Sequence, residues 1–172
     1  RLSNYNLFKE YKIRYKNIYP IKFRYLLDFN KLKFDQSFIF VALNMASLSY
    51  INILYLNHKN IIFWIDGVCS KFIIKNYKKT AGRKIIEKIK LPKDIKNIYL
   101  CGKESKNQID YIEKILKRKV DFIKLPFFKS FFETSIFRIN LSDNSVLFLN
   151  ISTPKQEIIA KNILKFNKNK RI

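Results

Sequence analysis

Acidic residues are scarce in this sequence. Against 35 Lys and Arg stand only 13 Asp and Glu, a formal net charge of +22 over 172 residues. That excess is beyond what solubility requires and asks for an anionic partner, with nucleic acid and anionic lipid as the two classes that qualify. Lys, Ile and Asn are plentiful throughout, so part of the charge is compositional background. Its densest end is the acid-free stretch from Lys161 to Ile172. Cysteine and histidine are also rare. Cys69 and Cys101 form no CxxC pair and His58 has no ligand partner nearby in sequence, which excludes a zinc site or a disulfide framework and suits a reducing compartment. Both thiols read as packing residues and His58 as a solvated loop residue. With only three glycines, the sequence has neither a Gly-x-Gly-x-x-Gly fingerprint nor a P-loop.

What is present is enough to build a core. A hydrophobic content of 48% with 16% aromatics predicts one globular domain. From Gln36 to His58 no charged side chain occurs, long enough for a membrane span. Asn44, Ser47, Ser49, Asn52 and Asn57 would need partners in hydrocarbon, so a strand followed by a half-buried helix is the better reading. The start, Arg1-Leu2-Ser3-Asn4, is polar, has no signal-peptide pattern and reads as an internal fragment boundary.

Residues 1–37 alternate aromatics with basic residues and read as short strands or a loose appendage to the domain formed by 38–172. Thereafter apolar runs alternate with helical stretches. The strand candidates are Phe38 to Leu43, Ile61 to Ile65, Ile98 to Cys101, Val120 to Leu125 and Val146 to Ile151. The clearest helix candidate runs from about Ser105 to Arg118, with Ile109, Ile112, Ile115 and Leu116 in one stripe. This alternation predicts an α/β fold, a mostly parallel, Rossmann-like sheet flanked by helices, with ligands at the carboxyl ends of the strands.

Several residues stand at those ends. Gly67 and Gly102 follow strand candidates, where backbone turns tightly or approaches a ligand, and Gly82 lies in a helix start, Lys79-Thr80-Ala81-Gly82-Arg83. Asp66 ends an apolar strand, where it is either a general base or a turn Asp before Gly. In Ser152-Thr153-Pro154-Lys155-Gln156-Glu157, Thr153 suits an N-cap, Pro154 the first helical position, and Gln156 a capping box. That is either a well-capped helix or an anion site, with Lys155 adding charge beside the free amides.

Taken in order, Asn44 after an apolar strand, Asp66-Gly67, Lys79-Thr80-Ala81-Gly82, Tyr99-Leu100-Cys101-Gly102-Lys103 and Thr153-Pro154-Lys155-Gln156-Glu157 resemble the WecG/TagA/CpsF family of bacterial glycosyltransferases over about residues 36–165. The resemblance implies an inverting transferase moving N-acetylmannosamine or a related sugar from a UDP donor to a polyprenyl-diphosphate-linked acceptor in surface polysaccharide synthesis. Asp66 would be the base. Asn44, Gly67, Lys79, Gly82, Gly102, Pro154, Lys155, Gln156 and Glu157 would line the substrate site. With no Asp-x-Asp pair in the sequence, the leaving diphosphate would rest on helix amides, Lys155 and Gln156 without metal or other cofactor. The basic charge would hold the enzyme at the inner face of the plasma membrane, on anionic lipid. Ser152, Lys84 and Lys103 stand where the family commonly has Gly, Asp and Gly, and the family's C-terminal portion is expected to be missing.

Two other readings compete. One is an inactive, membrane-associated homologue on the same fold. The other is a basic nucleic-acid-binding protein, suggested by the interleaved aromatics of residues 5–25 but supported by no RNA or DNA motif, so nucleic acid is the disfavoured partner. Self-association into a homo-oligomer stays open.

Overall fold

The computed structural model describes residues 2–6, 22–26, 32, 34–44, 46–47, 61–66, 80–103 and 106–172. The fold is α/β, with parallel strands in two sheets, and the chain divides into two compact units, residues 1–32 with 40–85 and residues 33–39 with 86–172. His58, Gly67, Cys69 and Lys79 lie outside the described residues.

The first unit holds a four-stranded sheet built from β1 (Leu2–Asn6), β2 (Lys22–Leu26), β3 (Ile39–Leu43) and β4 (Ile61–Ile65), in the order β1-β2-β4-β3. The aromatic-basic N-terminal stretch thus supplies two strands. β1 runs antiparallel to β2, pairing Leu2 with Leu26, and β2 runs parallel to β4 at Tyr25 and Phe63. Val41, Ile61 and Ile62 are buried, and the Phe40 ring lies 4.7 Å from that of Trp64 in a tilted cross-strand pair. β3 occupies the start of the uncharged stretch from Gln36. No described helix is long and apolar enough to cross a membrane.

In sequence, α1 (Gly82–Lys88) leads from the first unit to the second. The second unit is organised by a three-stranded, wholly parallel sheet of β5 (Asn97–Gly102), β6 (Asp121–Lys124) and β7 (Ser145–Asn150), in the order β6-β5-β7. Three more helices complete it: α2 (Lys106–Leu116), α3 (Phe131–Ile136) and α4 (Lys155–Phe166). Strand side chains alternate between two cores. Ile98, Leu100, Phe122 and Phe148 pack with Ile109 and Ile112 of α2, while Tyr99, Ile123, Leu147 and Leu149 pack with Ile159 and Ile163 of α4. Burial on both sides is why these strands are continuous apolar runs.

With so few glycines, two left-handed backbone positions fall to other residues, Lys117 after α2 and Asn144 before β7 (φ 53° at each). The Asn144 carbonyl accepts from Lys96 N, setting the start of β5 beside that of β7. The C-cap of α4, Asn167, is a buried polar clamp. Its Oδ1 accepts from Leu141 N (3.1 Å), and its Nδ2 donates to the carbonyls of Ile139 (2.8 Å) and Ile163 (2.9 Å). Beyond it, Arg171 pairs with Asp94 at 2.5 Å and donates its backbone N–H to Asp143.

Asn167→Ala leaves Leu141 N–H and Ile139 C=O buried without partners, so it should destabilise the protein by about 1–3 kcal/mol in urea unfolding. A second expectation concerns acid. The Arg171 side chain holds the Asp94 carboxyl below its ordinary value, and the Arg171 backbone N–H does the same for Asp143. A lowered folded-state pKa stabilises above the unfolded value, and that contribution is lost as pH falls through the lowered one. The urea midpoint should therefore begin to fall below about pH 4, and Arg171→Ala should remove the Asp94 part of the fall.

Candidate functional site

The chain leaves β5, passes through α2 to β6 on one side, and then returns through α3 to β7 on the other side of β5. Strand order therefore reverses at β5, and a crevice outside the carboxyl ends of β5 and β7 is where open α/β sheets bind ligands. Gly102 and Asn150 are register partners at that point. A Cβ on Gly102 would run into the carbonyl of Asn150, lying 3.0 Å from its carbon and 3.2 Å from its Cβ, and the φ of Gly102 is +155°. The close approach expected of this glycine is thus made to β7. The Asn150 side chain donates through Nδ2 to Gln108 Oε1 (2.7 Å), joining the end of β7 to the first turn of α2. Neither Gln108 nor Asn150 stood out in sequence. Their only signal was position, a polar residue closing an apolar strand and another opening an amphipathic helix.

The two helix starts at this end differ electrostatically. The first turn of α2 contains no acid, and the neighbouring Lys103 and Lys106 are exposed. The first turn of α4 contains Glu157, which is 3% exposed. Glu157 Oε1 accepts from Thr153 Oγ1 (2.9 Å) and Gln156 Nε2 (2.7 Å), and Gln156 Nε2 also reaches Thr153 Oγ1 (2.9 Å). Glu157 Oε2 is buried without a partner.

This corrects the expected capping. Pro154, joined to Thr153 by a cis peptide bond, takes the cap position and the helix begins at Lys155. The Thr153 hydroxyl is drawn to the buried carboxylate, a stronger acceptor than a neutral one, and Gln156 does not reach back to a backbone N–H. Lys155 Nζ donates to the carbonyl of Phe128 (3.2 Å), tying the loop after β6 to the start of α4. The positive end of the α4 dipole is already met by the protein's own carboxylate.

The remaining predicted site residues in the described part are Asn44, Asp66 and Gly82. Asn44 and Ser47 close a turn after β3: Asn44 Oδ1 accepts from Ser47 N (2.9 Å), and Ser47 Oγ accepts from Asn44 N (2.9 Å). The Asn44 side-chain oxygen is thereby committed to local structure. Asp66 directly follows β4 and is half-buried. Gly82 opens α1, and a Cβ there would meet no protein atom within 4 Å. Cys101 is fully buried in β5, where burial pushes its thiol up to about 12, so it is a packing residue and not a nucleophile. Among the described residues no group of three His, Cys, Asp or Glu gathers to hold a metal ion.

No protein-family model, curated protein or solved structure matches the chain.

The two glycines should separate under substitution. Gly102→Ala, which forces the ends of β5 and β7 apart, should cost about 1–3 kcal/mol of stability. Gly82→Ala, with open space and a helical backbone, should be neutral or stabilising by up to about 1 kcal/mol. Thermal unfolding of both variants measures this.

Proposed function

We propose that the protein is an inverting glycosyltransferase that takes a sugar, N-acetylmannosamine or a close relative, from a UDP donor and passes it to a polyprenyl-diphosphate-linked acceptor at an anionic membrane. The observation that carries the proposal is the reversal of strand order at β5, at the end of the sheet where Gly102 meets Asn150, Asn150 holds Gln108, and the chain runs on from β7 into the Thr153-Pro154-Lys155-Gln156-Glu157 block. A nucleotide-sugar presents a diphosphate and several hydroxyls. The acid-free first turn of α2, with Lys103 and Lys106, suits the diphosphate better than α4, whose dipole faces Glu157. Asn150 and the half-buried Gln156, whose amide nitrogens are given to Gln108 and to Thr153 and Glu157, would meet the hydroxyls through their side-chain oxygens. Asp66 has the chemistry of the base that would take the proton from the acceptor hydroxyl as it attacks the anomeric carbon.

The arrangement of Lys155 and Glu157 favours one second reading. Their polar groups are spent on the protein's own loop and helix start, as in a homologue that has kept the fold and lost turnover.

Titration calorimetry with UDP distinguishes these readings. The transferase should bind UDP, with Lys103→Ala/Lys106→Ala and Asn150→Ala each weakening binding about tenfold or more, and Lys165→Ala at the far end of α4 leaving it unchanged. Asp66→Asn should retain UDP binding and lower sugar transfer by roughly 10² to 10⁴. Binding without any transfer by the parent chain would establish the inactive homologue, and absence of UDP binding would refute both.

A further inference from the structure

Between Asp121 and Glu133 the sequence carries no acid, and its centre is Lys124-Leu125-Pro126-Phe127-Phe128-Lys129, the loop after β6. This loop is held at Leu125, which packs on the core, at Lys129, whose N–H donates to Glu133 Oε2, and most firmly at Phe128. Phe128 is buried in the core on the α4 side, edge-on to Phe137 at 5.1 Å, and its carbonyl holds the Lys155 ammonium. With Phe128 anchored inward, its neighbour Phe127 is left 85% exposed, the most exposed large apolar side chain among the described residues. Lys124 and Lys129, on either side, are also exposed.

We infer that the loop of residues 125–129 is a membrane wedge, in which Phe127 enters the interface of an anionic bilayer while Lys124 and Lys129 engage the headgroup phosphates. Charge selects this occupant. A single ring projecting between two exposed lysines, with one carboxylate at the loop's end where Glu133 Oε2 accepts from Lys129 N (2.9 Å), on a chain of net charge +22, matches a surface that is apolar beneath and anionic above. Phe is among the side chains that interfacial elements bury at the boundary of headgroups and acyl chains. The inference rests on the anionic-membrane part of the proposed function and names the element that makes the contact. β6 and β7 both run parallel to β5, so the wedge leaves the sheet at the same end as Gly102 and Asn150.

The test is flotation of the whole chain with vesicles of one part phosphatidylglycerol to two parts phosphatidylcholine, beside vesicles of phosphatidylcholine alone. The parent chain should float with the anionic vesicles. Phe127→Ser should lower its partition coefficient about tenfold, on the scale of burying one large apolar side chain, with an unchanged melting temperature because the ring makes no core contact. Phe127→Trp should restore binding, and Lys124→Gln/Lys129→Gln should weaken it roughly ten- to thirtyfold and flatten its salt dependence. Equal flotation of the parent and Phe127→Ser would overturn the wedge while leaving membrane association standing. Failure of the parent chain to float would overturn both. Loss of concentration-dependent self-association in Phe127→Ser, with flotation unchanged, would assign the ring to a second copy of the chain and overturn the wedge.

Discussion

Strand β5 is paired along both edges and apolar on both faces, and the second unit depends on that double burial. Ile98 and Leu100 face α2 and Tyr99 faces α4, so removing either helix would expose one side of a strand with no polar face to turn to water. Burying a large aliphatic side chain is worth about 1.5–3 kcal/mol, and β5 contributes to both layers at once. Parallel neighbours on each edge follow from the same constraint, because a strand buried on both faces must be reached by crossovers that carry helices. β6 and β7 lie on opposite sides, so strand order reverses at β5. The reversal is thus a by-product of how the core is closed.

At the carboxyl ends of β5 and β7 the molecule solves a local packing problem with glycine and a local charge problem with glutamate. Gly102 lets β5 run up against the Asn150 carbonyl, which brings the start of α2 within reach of the Asn150 amide. Glu157 meets the dipole of α4 from within, and Thr153 and Gln156 orient toward it. The result is two helix starts of different character, one carrying its own anion in its first turn and one with no acid there.

Much of this architecture was legible in the sequence. The expected strands at Phe38 to Leu43, Ile61 to Ile65, Ile98 to Cys101, Val120 to Leu125 and Val146 to Ile151 all form, with ends shifted by two residues at most, because buried parallel strands leave long apolar runs. The helix expected from Ser105 to Arg118 forms as α2 for the same kind of reason, an apolar stripe at helical spacing. The division of the strands between two sheets was not legible, since pairing partners depend on contacts distant in sequence. The short α3 was missed because its stretch reads as aromatic rather than periodic, and its start is fixed instead by Ser130 Oγ accepting from Glu133 N. At the candidate site, spacing located the Thr153 to Glu157 block but not its bonding. A capping box and a buried carboxylate clamp use the same side chains, and only burial, here of Glu157, decides between them. The Asn167 clamp was invisible for a related reason, because its three bonds join residues up to 28 positions apart.

The Lys155 ammonium shows how an apparent ligand group can act structurally and still serve function. By donating to the Phe128 carbonyl it gives up the role of a free phosphate-binding charge, yet it couples the loop after β6 to the first turn of α4. The Phe128 backbone is held by Lys155 and its ring by Phe137, and Phe127 beside it faces solvent. One hydrogen bond and one ring contact therefore fix an exposed aromatic at the end of the sheet that also carries Gly102 and Asn150. The proposed transfer from a nucleotide-sugar to a lipid-linked acceptor would call for that coincidence of ends, because such an acceptor's diphosphate would stay at the bilayer surface while the donor arrived from water.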